Sequence, residues 1–119
     1  MTERIALSEL FAARVDRDWD ALPWEPFRPG IEIVRVYGDG SGGPAAALLR
    51  YAPGTVLGPH AHVDYEHIVV LAGAQSDEHA TYPLGSVLIH GPGTSHRVRS
   101  DTGCVVLAIW NAPVRFDDI

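Results

Sequence analysis

The chain divides into seven short apolar runs, most of them cut off by glycine or proline, and that rhythm leaves room for little but a β-architecture. The runs fall at residues 31–37, 45–51, 56–62, 65–72, 87–90, 96–99 and 104–110. Between them stand Gly38-Asp-Gly-Ser-Gly-Gly43, Ala52-Pro-Gly54, Gly91-Pro-Gly93 and Asp101-Thr-Gly103, whose glycines and prolines set turn geometry where a strand must stop. Strands at this spacing predict an all-β fold, a double-sheet jelly roll or double-stranded β-helix. At 119 residues there is material for one such core and not two.

Upstream of the first run, Ser8 is placed to cap a short helix running to about Val15, with Leu7, Leu10, Phe11 and Arg14 at helical spacing. Trp19, Leu22, Pro23, Trp24, Pro26 and Phe27 follow as an aromatic and proline-rich lead-in, expected to drape over the barrel and seal one sheet. The expected organisation is an N-terminal extension at residues 1–30 packed on a barrel at residues 31–119.

Within that frame, His60-Ala-His62, three spacers and Glu66 carry the chemistry, and His96 follows thirty residues after Glu66, behind Gly91-Pro92-Gly93. Residues i and i+2 of a strand project to one face, so His60 and His62 point the same way. A tight turn at Val63-Asp64 would bring the next strand back antiparallel and lay Glu66 beside the pair, with Glu66, Ile68 and Val70 sharing the inner face. Three imidazoles and a carboxylate suit divalent zinc, iron, nickel, copper or manganese, and the lack of thiolates argues against a closed structural zinc knot. Histidines that merely cap turns or line a polar patch are the alternative reading of the same spacing.

Composition removes other classes. A net charge of −6 and a pI near 5.3 leave no basic stripe to neutralise phosphates, so nucleic acid is not an expected partner. All 9 basic side chains are Arg, which excludes Schiff-base and lysine-anchored pyridoxal chemistry. No run approaches the roughly twenty apolar residues that span a bilayer, and no apolar signal core follows Met1, so the expected address is cytoplasmic with no membrane contact. Cys104 is alone, forms no internal disulfide and opens the apolar run 104–110, where a small buried thiol is expected in preference to a redox sensor. The Gly38–Gly43 loop lacks Gly-Lys-Ser/Thr, and no Gly-x-Ser-x-Gly elbow is present.

The glycines around the histidines carry a resemblance. Gly54, five residues, His60-x-His62, three residues, Glu66, six residues and Gly73 resembles the first cupin motif, and Gly85 through Gly91-Pro92-Gly93-Thr-Ser-His96 to Ser100 resembles the second. Gly91 stands where that motif has Pro, and Ser100 where it has Asn. From about Trp24 to Trp110 the chain is similar more narrowly to the ChrR-type cupins, through Ser76-Asp77-Glu78-His79, Tyr82-Pro83-Leu-Gly85 and Gly103-Cys104. Carried over residue by residue, the resemblance implies metal ligation by His60, His62, Glu66 and His96. His67 stands where many members have a second Glu, and its strand parity puts it on the outer face.

Two functions are compatible with that resemblance. One is a metal-dependent dioxygenase, an oxidoreductase acting on a small oxygen-rich, dicarbonyl-like ligand in the barrel. The other is a non-catalytic metal-dependent sensing module like the sensor half of the ChrR anti-sigma factor, although residues 1–30 are too few and too poor in Cys and His for a zinc-bearing sigma-binding domain. A homodimer is expected, because small jelly rolls expose sheet edges. Among the remaining polar residues, Asp77-Glu78-His79 reads as a solvated hairpin turn, and Arg97 and Arg99 as outward-facing by parity. Arg50 and Tyr65 are candidates for the pocket mouth, while His90 and Tyr82 carry no assignment.

Overall fold

The computed structural model describes residues 19–116, so the helix expected at residues 8–15 lies outside the described residues. A single 3-10 turn, Trp19–Ala21, leads into β1 (Glu25–Arg28), β2 (Ile31–Tyr37), β3 (Ala45–Tyr51), β4 (Thr55–Ala61), β5 (Glu66–Ser76), β6 (Thr81–Pro83), β7 (Val87–His90), β8 (Ser95–Ser100), β9 (Cys104–Trp110) and β10 (Arg115–Phe116). All pairings are antiparallel, in the order β1-β2-β3-β9-β5-β8-β4-β10, with β6 and β7 also on β5. This is the jelly roll that the turn spacing predicts. No helix among the described residues is long and apolar enough to cross a membrane.

The sheet curls because β5 serves two halves of it. Its first residues pair with β9 and β7, whereas Ala74, Gln75 and Ser76 pair with β6 and Ser76 reaches β8. The change of partners follows an irregularity between Val70 and Ala72 and a left-handed Gly73, φ 66°, the local devices by which a strand bends sharply. Ser100, where the second motif has Asn, is fully buried and donates its hydroxyl to the Ala74 carbonyl at 2.6 Å, tying β8 to the strand just beyond this bend.

Runs that are apolar on both faces are explained by two separate cores. The inner faces of β3, β5 and β9 contribute Ala47, Leu49, Ile68, Val70, Val106 and Ala108 to the barrel interior. Their outer faces bury Leu48, Val69, Leu71 and Val105 under Trp19, Leu22 and Trp24 of the lead-in. Arg50 pins that cover, donating to Asp20 at 2.6 Å and Glu32 at 2.9 Å, with its guanidinium 4.5 Å from the Trp24 ring centroid. Arg50 therefore belongs to the cover and not to the pocket mouth. Cys104 is buried in the inner core, and burial pushes its thiol up to about 11, which makes it a packing residue at neutral pH.

Candidate metal centre

Five ionisable side chains from both halves of the barrel meet at one end. His60 of β4 and His96 of β8 are directly opposed cross-strand partners. Glu66, the first residue of β5, is likewise opposed to His90, the last of β7. Opposed residues of an antiparallel pair present their side chains to the same face, so each pair brings its two side chains together on one side of the sheet. His62 lies just beyond β4, where its backbone N–H bonds the Thr94 carbonyl at 2.8 Å and its carbonyl accepts from Gly93 at 2.9 Å. The Gly91-Pro92-Gly93 turn thus positions His62 as well as starting the strand that carries His96.

One sequence expectation is corrected here. Val63 and Asp64 do not make a hairpin turn between paired strands: β4 pairs with β8 and β10, while β5 pairs with β9, β7, β6 and, through Ser76, β8. Residues 62–65 cross from one half of the barrel to the other, and Glu66 reaches His60 and His62 across the interior instead of along a shared ladder. The physical reason is that each end of the crossing is bonded elsewhere, His62 to Thr94 and the Tyr65 carbonyl to the Asn111 N–H. The parity expectation fits, since His60, His62 and Glu66 are all buried and His67 is half-buried on the opposite side.

The hydrogen-bond partners fix the tautomers, because a carbonyl oxygen only accepts. His60 Nδ1 contacts the Gly58 carbonyl at 3.1 Å and so carries a hydrogen, leaving its Nε2 a lone pair. His62 Nδ1 contacts the Thr94 carbonyl at 3.2 Å and hydroxyl at 2.9 Å, and that hydroxyl is itself donated to the Gly91 carbonyl at 2.6 Å. His62 Nε2 is then a bare acceptor, buried without a hydrogen bond, 3.2 Å from Glu66 Oε1. His96 Nε2 and His60 Nε2 are 2.8 Å apart, which places the hydrogen on His96. Burial holds His60, His90 and His96 below the usual imidazole range, His96 to about 4 with the neighbouring His60 adding to the effect. Those three rings are therefore neutral imidazoles at pH 7.

Behind His96, the Asp77 carboxylate approaches Nδ1 to 4.0 Å, with its side chain 7% exposed. Asp77 Oδ1 accepts from the His79 and Ala80 N–H groups at 2.8 and 3.1 Å, and both its oxygens lie 3.1 Å from the Tyr82 hydroxyl. Burial alone would raise this carboxyl, but those donors outweigh it and hold Asp77 below its usual value. The turn at 77–79 is present, yet Asp77 is not a solvated charge: it faces a candidate ligand. Arg97 and Arg99 point to solvent as parity requires.

Glu66, His60 and His96 open onto a barrel cavity of about 290 Å³ walled by Leu49, Ile68 and Val98, with Tyr51 and Gln75 as further polar lining. Burial drives the Tyr51 phenol well above its ordinary value, with nearby Cys104 and Glu66 contributing. Tyr65 does not line this cavity and is exposed, so its expected place at the mouth is also corrected. His90 received no assignment from the sequence, although it ends an alternating strand just before the turn that carries His96. One potential ligand atom from each of His62, Glu66, His90 and His96 lies within 4.8 Å of all the others. Imidazole and carboxylate donors with unpartnered Nε2 atoms on His62 and His90 fit a divalent first-row metal ion.

Residues 12–113 match the family model of the ChrR Cupin-like domain. Among curated proteins none matches the sequence. The fold is similar to Rhodobacter sphaeroides anti-sigma ChrR, solved in complex with SigE, at TM-score 0.70 and 22% identity over 92% of this chain and 70% of that one. It is similar to an acetylacetone dioxygenase from Acinetobacter johnsonii at TM-score 0.73 and 14% identity, covering 99% of this chain and 80% of that one. A protein of unknown function with a cupin-like fold from Ralstonia eutropha JMP134 gives TM-score 0.67 and 18% identity over 75% of this chain. This chain spans only 60% of the length of that last protein. At these identities the likenesses carry the fold, a cupin barrel.

Proposed function

The chain belongs to the ChrR Cupin-like domain family, and we propose that its barrel holds one divalent metal ion through His60, His62, Glu66 and His96. We further propose that it acts as a dioxygenase on a small, oxygen-rich, dicarbonyl-like molecule in the adjoining cavity. The observation that carries the metal reading is the buried pair His62 Nε2 and Glu66 Oε1, 3.2 Å apart with no hydrogen bond between them. An imidazole nitrogen and a carboxylate oxygen held together out of water are stabilised by positive charge between them, which a divalent ion supplies. When bound, the ion supplies Lewis-acid polarisation and redox capacity at an open position.

The chain's own residues prepare that position. The Gly58 carbonyl and Thr94 hold the Nδ1–H tautomers of His60 and His62, so each carries its lone pair on Nε2, unpartnered on His62 and accepting from His96 on His60. His96 differs, since its Nε2 hydrogen is shared with His60; as a ligand through Nε2 it would carry its hydrogen on Nδ1, which faces the Asp77 carboxylate at 4.0 Å. Tyr51, kept as a neutral phenol, is a hydrogen-bond donor for a carbonyl or enolate oxygen in the cavity, with Gln75 nearby. Leu49, Ile68 and Val98 exclude water around the apolar part of such a molecule. The likeness to the acetylacetone dioxygenase of Acinetobacter johnsonii supports this substrate class.

The test uses ferrous protein and nitric oxide as a dioxygen surrogate. Binding of nitric oxide, a spectral change on adding β-dicarbonyl compounds, and oxygen uptake that disappears in Glu66→Ala and His96→Ala are the expected results. Ferrous protein that binds neither nitric oxide nor any dicarbonyl overturns the enzyme reading. A second reading, a metal-dependent sensing module, is favoured by the likeness to the anti-sigma ChrR; zinc held tightly without turnover would support it. Either way we propose a homodimer, for which Val87 and Ile89, 58% and 63% exposed on β7, offer an apolar edge.

A further inference from the structure

His90 is not among the four residues of the proposed donor set, yet its nitrogen is as available as that of His62. Its Nε2 is buried with no hydrogen-bond partner, whereas His60 Nε2 is engaged by His96 at 2.8 Å. Its ring stacks on that of His62, with centroids 4.6 Å apart and planes 3° from parallel. The four residues whose donor atoms converge within 4.8 Å are His62, Glu66, His90 and His96, without His60.

The surroundings divide the same way. His60 and Glu66 line the barrel cavity, while His62 and His90 line a separate outer groove together with Asp77, His79 and Tyr82. Of the residues lining either space, His96 alone borders both. The histidine cluster is a partition between an interior chamber and a groove open to solvent.

We propose that His90 is a metal ligand, and that the centre consists of two overlapping donor sets sharing His62, Glu66 and His96, closed by His60 on the cavity side or by His90 on the groove side. This rests on the metal reading above. An imidazole nitrogen at either position completes an N3O set of the kind that binds first-row divalent ions. Occupancy of the groove-side set leaves His60 free toward the chamber, and the groove gives the ion a route to solvent that does not cross the space proposed for the substrate.

Cobalt(II) titration of the full chain, read by visible absorption and by metal per chain, tests the proposal. Wild type and His60→Ala are each expected to bind one cobalt per chain, His60→Ala more weakly. His90→Ala is expected to bind one cobalt with its absorption bands displaced, and the double variant to bind none. His60→Ala that is folded by circular dichroism but takes up no cobalt overturns the proposal. So does His90→Ala with bands and affinity identical to wild type. Where an alanine variant fails to fold, His90→Gln, whose amide is a poorer donor of similar reach, is read against the same criteria. Wild type that binds no cobalt overturns the metal reading itself, a failure distinct from wild-type binding that is indifferent to His90.

Discussion

Gly73 packs against the carbonyl oxygen of Gly103 so closely that a β-carbon at position 73 would overlap it. The contact lies where β5 leaves its partner β9, and Gly73 also holds a left-handed φ of 66°. Gly54, which opens the first motif, has a φ of 81° but nothing within 4 Å of where its β-carbon would be. Gly73→Ala is therefore expected to lower stability by at least about 2 kcal/mol, through backbone clash plus strain. Gly54→Ala carries only the left-handed penalty, about 1 kcal/mol. Urea denaturation of both variants gives the comparison, and equal losses would contradict it.

That contrast marks how much was legible in the sequence. Strands at 31–37, 45–51, 87–90 and 104–110 coincide with β2, β3, β7 and β9, because glycine and proline report where a strand stops irrespective of what it packs on. Pairing is different: nothing local to Val63-Asp64 records that β4 bonds to β8, thirty or more residues on, instead of to β5. The inward pointing of His60, His62 and Glu66 followed from parity and is seen. The approach of Asp77 to His96 was hidden, since a charged triplet between glycines and prolines looks the same whether its carboxylate meets solvent or a buried ring. His90 was illegible for a related reason, as its relation to Glu66 exists only through the β5–β7 register.

Acid should destabilise the metal-free protein in a defined window. Burial lowers His60 and His90 below their free value, and His96 from 6.5 to about 4. Below about pH 6.5 the unfolded chain takes up protons that the folded cluster refuses, so each such proton favours unfolding. Stability is thus fully present above that pH and falls as pH drops toward about 4, the folded value of His96. Urea midpoints at pH 7.5, 5.5 and 4.5 should decline in that order, and His96→Asn should flatten the decline. An unchanged slope in that variant would exclude His96 as a source.

Asp77→Asn isolates the carboxylate behind His96. The substitution keeps an oxygen to accept from the His79 and Ala80 N–H groups but removes the charge facing His96 Nδ1. Partners of this kind orient a ligating imidazole and raise its basicity, and their loss typically weakens metal binding about 10- to 100-fold. Competition against a calibrated chelator measures the change. Glu78→Gln, an exposed neighbour that bonds the Arg97 N–H, should leave affinity within about 2-fold, the scale of a surface change. Equal effects from both would point to the turn and not to the carboxylate.

Assembly has its own test on β7. Val87 and Ile89 are the exposed residues of β7, alternating with the half-buried Leu88 and His90. Sedimentation of wild type at micromolar concentration should report a dimer. Val87→Lys with Ile89→Lys should report a monomer that still binds metal stoichiometrically. A wild-type monomer, or a double variant that stays dimeric, would remove this edge as the interface.

Tyr51 offers the sharpest reading of the cavity, because its hydroxyl is protonated at any ordinary pH and can donate a hydrogen bond to a ligand oxygen. Tyr51→Phe removes that donor while leaving the ring that packs in the inner core. A neutral hydrogen bond contributes about 1 kcal/mol, so the acetylacetone concentration that half-saturates the ferrous spectral change should rise about 5-fold. Metal content should be unaffected, since Tyr51 is outside the donor set. A matched probe sharpens the outcome: nitric oxide, which has no carbonyl to orient, should bind wild type and Tyr51→Phe alike. If Tyr51→Phe weakens both ligands equally, the loss lies in the metal centre; if it weakens neither, Tyr51 packs the cavity without reading what enters it.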